Sequence, residues 1–196
     1  MSVTRSATSA ARRAQILDAT IEVIAEEGFA RASFARIAER AGLSSTRLIS
    51  YHFAGKDELV AALVEHVVSG IGEHVGALVG AETTARGRLR AYVEGVVGHA
   101  DSHRAQMSAL LQVVLSGAWG AGGPVGPSDA SHLERILRQG QEAGELRDFD
   151  VRVVAATVQR AVEGVPLQLQ ADPGLDCAAY AAELVELFDR ATRADP

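Results

Sequence analysis

The chain has a single cysteine, Cys177, among its 196 residues. It can form no internal disulfide, and no CxxC pair or cysteine–histidine cluster offers a thiolate metal site. Cys177 reads as a small buried hydrophobe or as a redox-sensitive thiol, and a lone thiol fits a reducing cytoplasm. Lysine is almost absent: Lys56 stands alone, and the other basic residues are arginines. Aromatic residues make up only 5%, while the apolar share is 47% and rests on Ala, Val, Leu and Gly. That apolar content excludes global disorder, and its Ala and Leu favour helices. No apolar run is long enough to span a bilayer. Residues 105–128 carry no charge but are broken by Gln106, Gln112 and a Gly/Pro tail. The first apolar stretch, 16–24, is interrupted by Asp18 and Glu22, so no signal peptide is expected. There is no HExxH, GxSxG, Walker or Rossmann glycine pattern. The nearest approach to an acid–base pair is Glu65-His66 with Glu73-His74, which reads as solvated helix surface. No enzymatic activity, cofactor or metal is therefore expected.

The net charge of −6 argues against a generally basic surface, but it is unevenly spread. Residues 1–56 hold eight basic and five acidic residues, a net of +3; residues 57–196 hold eleven and twenty, a net of −9. A basic head on an acidic body suits a head that alone meets a polyanion.

Helical spacing recurs from one end to the other, with no strand alternation and no internal repeat, and about nine helices are expected. Residues 1–11 read as a mobile arm. The first helix covers 12–27, with Ile16, Leu17, Ile21, Val23 and Ile24 inward and Gly28 as its stop. Ser33 caps the second, whose inner face is Phe34, Ile37, Ala38 and Ala41. Gly42 makes the turn, Leu43 is its buried residue, and Ser44 or Ser45 caps a third helix reaching His52. Asp57 and Glu58 then open a fourth helix, where the macrodipole favours acids. Its glycines, Gly70, Gly72, Gly76 and Gly80, each weaken a helix by ~1 kcal/mol relative to alanine. They imply fraying, bending or a close neighbour. Further helices are expected at 84–100, 104–117, 128–143, 151–171 (kinked at Pro166) and 176–192.

The stretch 34–56 is the one whose residues specify a chemistry. Ala38 is small where two helices cross, Gly42 supplies the turn, and Ile37 and Leu43 fill a small core, as a helix-turn-helix requires. Such a corner also occurs in ordinary bundles. The next helix opens with Ser45, Thr46 and Arg47. A recognition helix reads bases with its N-terminal residues, and Arg47 can bond guanine O6 and N7 together. Thr46 can bond a base or touch a thymine methyl. Tyr51, His52 and Lys56 offer donors suited to phosphate oxygens. Core packing for Tyr51, and a surface or capping place for His52 and Arg47, remain alternatives.

Through these residues, 12–67 resembles the TetR family of bacterial transcriptional repressors. The marks are Ile16…Gly28-Phe29, then Ser33-Phe34…Ile37-Ala38…Ala41-Gly42-Leu43-Ser44, then Tyr51-His52-Phe53…Lys56-Asp57-Glu58-Leu59. The resemblance implies an all-α chain with a helix-turn-helix domain at 1–56 and a helical body at 57–196. That body would bind a small-molecule effector and form a homodimer through its last two long helices. It implies phosphate contacts by Tyr51, His52, Lys56 and Ser33, and base-facing positions for Ser45, Thr46, Arg47 and Ser50, with Ser44 beside them in the turn. Two departures stand out. The chain has one residue more than the usual pattern between the turn glycine and His52-Phe53, and Ser50 stands where an aromatic is usual.

The body marks its pocket poorly. Residues out of place in an apolar bundle are Tyr92, His99, His103, Met107, Trp119, Gln159 and Glu163, with Leu111 on the Met107 stripe. Trp119 serves equally as pocket mouth or core anchor. His99 and His103 at i, i+4 could face a metal, but no third ligand lies nearby in sequence. The reading that follows is a cytoplasmic dimeric repressor on a pseudo-palindromic operator, released when an effector changes the spacing of the heads. Bending is expected at Gly72 and Gly76. The competing reading is a helical ligand-binding or protein-binding module that does not read DNA sequence.

Overall fold

The computed structural model describes residues 2–118 and 127–194. Among them are ten α-helices, one 3-10 turn at Phe29–Arg31 and no strand. The helices are α1 (Ser2–Glu27), α2 (Phe34–Arg40), α3 (Arg47–His52), α4 (Lys56–Ala81), α5 (Ala85–Ser102), α6 (Arg104–Leu115), α7 (Pro127–Glu142), α8 (Val151–Glu163), α9 (Val165–Ala171) and α10 (Cys177–Thr192). The expected all-α class holds. The helix expected at 151–171 is divided into α8 and α9 at Gly164, two residues before Pro166.

Residues 2–11, read above as an arm, belong to α1. This stretch is rich in Ala and Ser and has no Gly or Pro, so nothing in it stops a helix from propagating. The chain forms two compact units, residues 1–69 with 105–122 and residues 70–104 with 123–196, and α4 crosses from one to the other at Ser69/Gly70.

The first unit is built on α1. Ile16, Val23 and Ile24 are fully buried, and with them Ile37, Ile49, Phe53, Leu59, Leu63, Val64 and Val67. Gly28 stops α1 at φ +94°, a value that L side chains rarely adopt. Its successor, the Phe29 amide, donates to Gln112 Oε1 at 3.1 Å, which ties the turn to α6.

In the second unit α5 lies at the centre and packs against α7, α8, α9 and α10. Asp150 and Asp176 cap α8 and α10, accepting from the amides of Arg152, Val153 and Ala179. A Cβ on Gly95 would lie 3.0 Å from Leu78 Cδ1, so glycine lets α5 approach the end of α4 closely. The α4 glycines Gly70, Gly72, Gly76 and Gly80 serve no such approach: a Cβ on any of them would meet nothing within 4 Å. Cys177 is buried at the start of α10, where burial foremost, and then Asp101, push its thiol pKa up and leave it protonated.

Candidate nucleic-acid interface

The turn between α2 and α3 is closed by the backbone. The Leu43 amide donates to Ala38 O at 2.8 Å and the Gly42 amide to Glu39 O at 3.1 Å, with Gly42 at φ +63°. That is the double bond set of a left-handed helix stop, and it needs a residue without a Cβ. Helix α3 begins only at Arg47. Thr46, not Ser44 or Ser45, holds the cap position, and its side chain makes no capping bond. Ser45 caps indirectly, its hydroxyl oxygen accepting from the Arg47 amide at 3.1 Å. The reason is local: two serines and a threonine in a row each compete for the same amides.

Helix α3 is held by one side. Ile49 has no exposed surface, and Phe53, just past the end, is 1% exposed. At about 100° per residue, an inward Ile49 turns Arg47, Leu48, Ser50 and Tyr51 outward, and all four are exposed. Tyr51 is 80% exposed, which excludes core packing. Its ring stands edge-on to His52 at 5.1 Å. Two α1 side chains brace the element from behind. Arg13 donates to His52 O at 3.0 Å and lies 4.3 Å over the Phe53 ring, while Gln15 donates to Ala41 O at 2.7 Å. Glu58 in the first turn of α4 accepts from the Ala54 amide at 2.6 Å and so fixes the α3–α4 corner.

Charge separates the arginines of this region. Arg36 bonds Glu27 at 2.9 Å and Glu39 at 3.2 Å. Arg40 bonds Glu26 at 2.9 Å and Glu22 at 3.2 Å, and these hydrogen bonds, Glu26 first, hold its proton more tightly than usual. Both are committed to aligning α2 on α1. Arg47 is exposed, and its guanidinium has no ion pair or hydrogen bond among the described residues.

Ser33 caps α2 by accepting from the Arg36 amide at 3.3 Å. Ser44 is exposed, and Ser50 donates to Thr46 O at 3.4 Å. Lys56, first residue of α4, points its ammonium at Phe29, donating to the carbonyl at 3.3 Å and lying 4.4 Å over the ring. Ser44, Ser45, Thr46, Arg47, Ser50, Tyr51 and half-buried His52 thus follow one another along a single turn and helix. Ser33 and Lys56 sit at the starts of α2 and α4. Sequence reasoning did not single out Leu48 or the braces Arg13 and Gln15, whose partners lie 39 and 26 positions away.

The residues proposed for a pocket are divided between the two units. Met107 is buried and Leu111 half-buried on α6 in the first. Tyr92, His99 and Gln159 are buried in the second. Gln159 donates to Glu163 Oε1 at 2.8 Å, and Arg160 bonds the same carboxylate at 2.6 Å. Trp119 lies outside the described residues. An open cleft of about 1080 Å³ in the second unit is lined by Arg86, Leu89, Arg90, Val185, Asp189 and Arg193 among others. None of the proposed pocket residues that are described lines it, and Arg86 is already spent on both oxygens of Asp189 at 2.8 and 2.9 Å.

His99 is only 4% exposed, and neither ring nitrogen has a hydrogen-bond partner among the described residues. His103 stacks on it in parallel at 4.0 Å, and His74 of α4 tilts against it at 5.5 Å. Parallel stacked rings do not aim their in-plane lone pairs at one ion. Among the described residues no group of three or more His, Cys, Asp or Glu is placed to hold a metal. Burial first, then His103, then His74, push the His99 pKa down. The folded state therefore binds fewer protons than the unfolded one. Stability should be unaffected by His99 above about pH 6.5 and fall as pH drops below it. Thermal melting at pH 7.5 and pH 5.0 checks this: the acid-induced loss should shrink in His99→Leu, and an equal loss in both proteins would contradict it.

A short helix held by its inner face, an outward row of short polar groups and one free arginine, and bracing from the preceding helices give the arrangement of a helix-turn-helix. The comparisons with known proteins agree. Residues 16–63 match the model of bacterial regulatory proteins, tetR family. The chain is similar to the HTH-type transcriptional regulator BetI of Pectobacterium carotovorum, 36% identical over 102 residues that cover 51% of this chain and 52% of that one. It is also similar to BetI of Brucella anthropi, 34% identical over 82 residues and 42% of each chain. The chain thus spans about half the length of these relatives. A solved structure described as the molecular basis for control of antibiotic production by bacterial hormones aligns with a TM-score of 0.79 at 27% identity, covering 93% of this chain and 97% of that one. A tetR-family regulatory protein from Rhodococcus RHA1 shares the fold, with a TM-score of 0.77 at 21% identity over 94% and 98%. Residues 16–63 are thus similar to the tetR family, and the fold of the chain is that of these solved structures. No described helix is long and apolar enough to cross a membrane.

Proposed function

We propose that the protein is a dimeric, effector-controlled transcriptional repressor acting in the cytoplasm. Residues 1–56 bind a pseudo-palindromic operator, and residues 57–196 dimerise and take up a small organic molecule. The carrying observation is the free, outward Arg47 on a braced α3, beside Arg36 and Arg40 that are both committed to α1. In this reading Arg47 reads guanine, Ser45, Thr46 and Ser50 face neighbouring bases with Ser44 beside them, and Ser33, Tyr51, His52 and Lys56 hold the phosphates. Lys56 would exchange its bond to Phe29 for one to a phosphate.

Dimerisation is supported by large apolar side chains left exposed on the last helices: Val153 at 62%, Leu167 at 48% and Leu187 at 58%. Two heads about 34–36 Å apart meet successive major grooves, which one head cannot do. An effector is supported by the unpartnered His99 beside Tyr92 on α5, a buried imidazole that a bound polar group would satisfy. The solved relative concerned with bacterial hormones points the same way. The effector shifts the population toward a conformer with another head spacing, through α4, whose Gly72 and Gly76 lower the cost of bending.

Fluorescence anisotropy tests this on DNA selected by the protein from a random pool. Affinity for the selected duplex should exceed that for scrambled duplex by about 1,000-fold or more, and log affinity should fall linearly as log salt rises. Equal affinity for the two duplexes would favour the helical module that does not read DNA.

A further inference from the structure

The outward face of α3 carries one residue that does not suit solvent and that the reading above leaves unused. Leu48 is 37% exposed on a helix of six residues, directly after Arg47 and three positions before Tyr51. The apolar demand of the core is met from the other side, by Ile49 at 0% and Phe53 at 1%. Leu48 is therefore not needed to hold the helix down. At about 100° per residue it lies roughly 60° from Tyr51 and 100° from Arg47. It thus flanks the strip that would enter the groove. The neighbours Arg47, Ser50 and Tyr51 are all exposed and polar or amphipathic, and so leave Leu48 as the one aliphatic surface on that strip.

The major-groove edge of a base pair presents one aliphatic group, the 5-methyl of thymine. Apart from flat aromatic C–H edges, the other groups there are hydrogen-bond donors or acceptors, which a leucine would leave desolvated and unpaired. An aliphatic side chain on a groove-facing helix thus has a single favourable counterpart. We infer that Leu48 is a specificity-determining residue that packs on a thymine methyl in each operator half-site, next to the base read by Arg47. This rests on the operator reading above and adds to it the identity of one base and the group that is recognised.

The test removes the methyl without touching any hydrogen bond. The full-length protein selects its site from a random pool, and each thymine of that site is then replaced by deoxyuridine in turn. Burying one methyl contributes ~0.8 kcal/mol, so one thymine per half-site should lose about fourfold in affinity on replacement. In Leu48→Ala that position should become indifferent to the replacement, while other thymines keep their wild-type response. Leu48→Met, which keeps aliphatic reach, should retain the sensitivity. Thermal melting should show both variants folded, with a modest loss in Leu48→Ala, since Leu48 is 37% exposed while Ile49 and Phe53 hold the helix to the core. The inference is overturned if a site is selected but no thymine shows this methyl dependence, or if Leu48→Ala shows the same uridine pattern as the wild type. If no site is selected at all, the operator reading falls, and this one with it.

Discussion

Arg47→Ala lowers affinity for the selected operator by about thirtyfold or more, with little change in binding to random DNA. A bidentate arginine–guanine pair contributes ~1–3 kcal/mol of discrimination, and a dimer carries two such pairs. The effect is large because Arg47 is the one arginine or lysine on α3. Arg36 and Arg40 are held by Glu27, Glu39, Glu22 and Glu26, and Lys56 sits a helix away beside Phe29. Arg47→Lys separates charge from geometry. Lysine keeps the positive charge but lacks the planar fork, so it should retain most of the salt-dependent affinity and lose the preference for guanine. Anisotropy titrations of the three proteins on operator and scrambled duplex check both statements. Unchanged operator affinity in Arg47→Ala would mean that α3 meets DNA by another face or not at all.

Phe53→Ala destabilises the protein by about 3–5 kcal/mol, the usual range for emptying a buried phenylalanine site. Phe53 is 1% exposed and sits where α3 ends, and its amide closes that helix on Ile49 O at 2.9 Å. Its ring also carries the Arg13 guanidinium at 4.3 Å, and the same arginine bonds His52 O. One substitution therefore opens a cavity and frees the brace that orients α3. Urea unfolding should show the loss, and operator binding should weaken even under conditions where the protein stays folded. The contrast with Arg47→Ala is informative, since that change should leave the urea midpoint in place. A Phe53→Ala protein with wild-type stability and affinity would show that α3 is positioned by something other than this contact.

The elements that the sequence made legible are those set by local chemistry. Ser33 caps α2, and Gly28 and Gly42 take positive φ, because each depends only on residues within a few positions. Long-range pairing was not legible. Nothing near Arg36 and Arg40 announces that acids up to eighteen positions earlier, on α1, will claim them, yet that is what singles out Arg47. The start of α3 was misplaced because three hydroxyl residues in a row offer three plausible caps, and the backbone closure at Gly42 decides among them. Leu48 was not singled out, since its exposure depends on Ile49 taking the inward place on α3.

The body was legible only as helices. Tyr92 and Gln159 looked polar in an apolar setting and are indeed buried, and Gln159 finds its partner Glu163 one turn along α8. His99 and His103 were seen as an i, i+4 pair. The third ring, His74, comes from the preceding helix, and the parallel stacking of the first two could not be read from spacing.

Methylation interference on the selected operator tests the central claim most directly, because it reports which guanine N7 atoms the protein must reach. The account predicts two clusters of sensitive guanines, about ten base pairs apart and related by the dyad of the site, with both clusters lost in Arg47→Ala. A single cluster, or an interference pattern unchanged in Arg47→Ala, would contradict it.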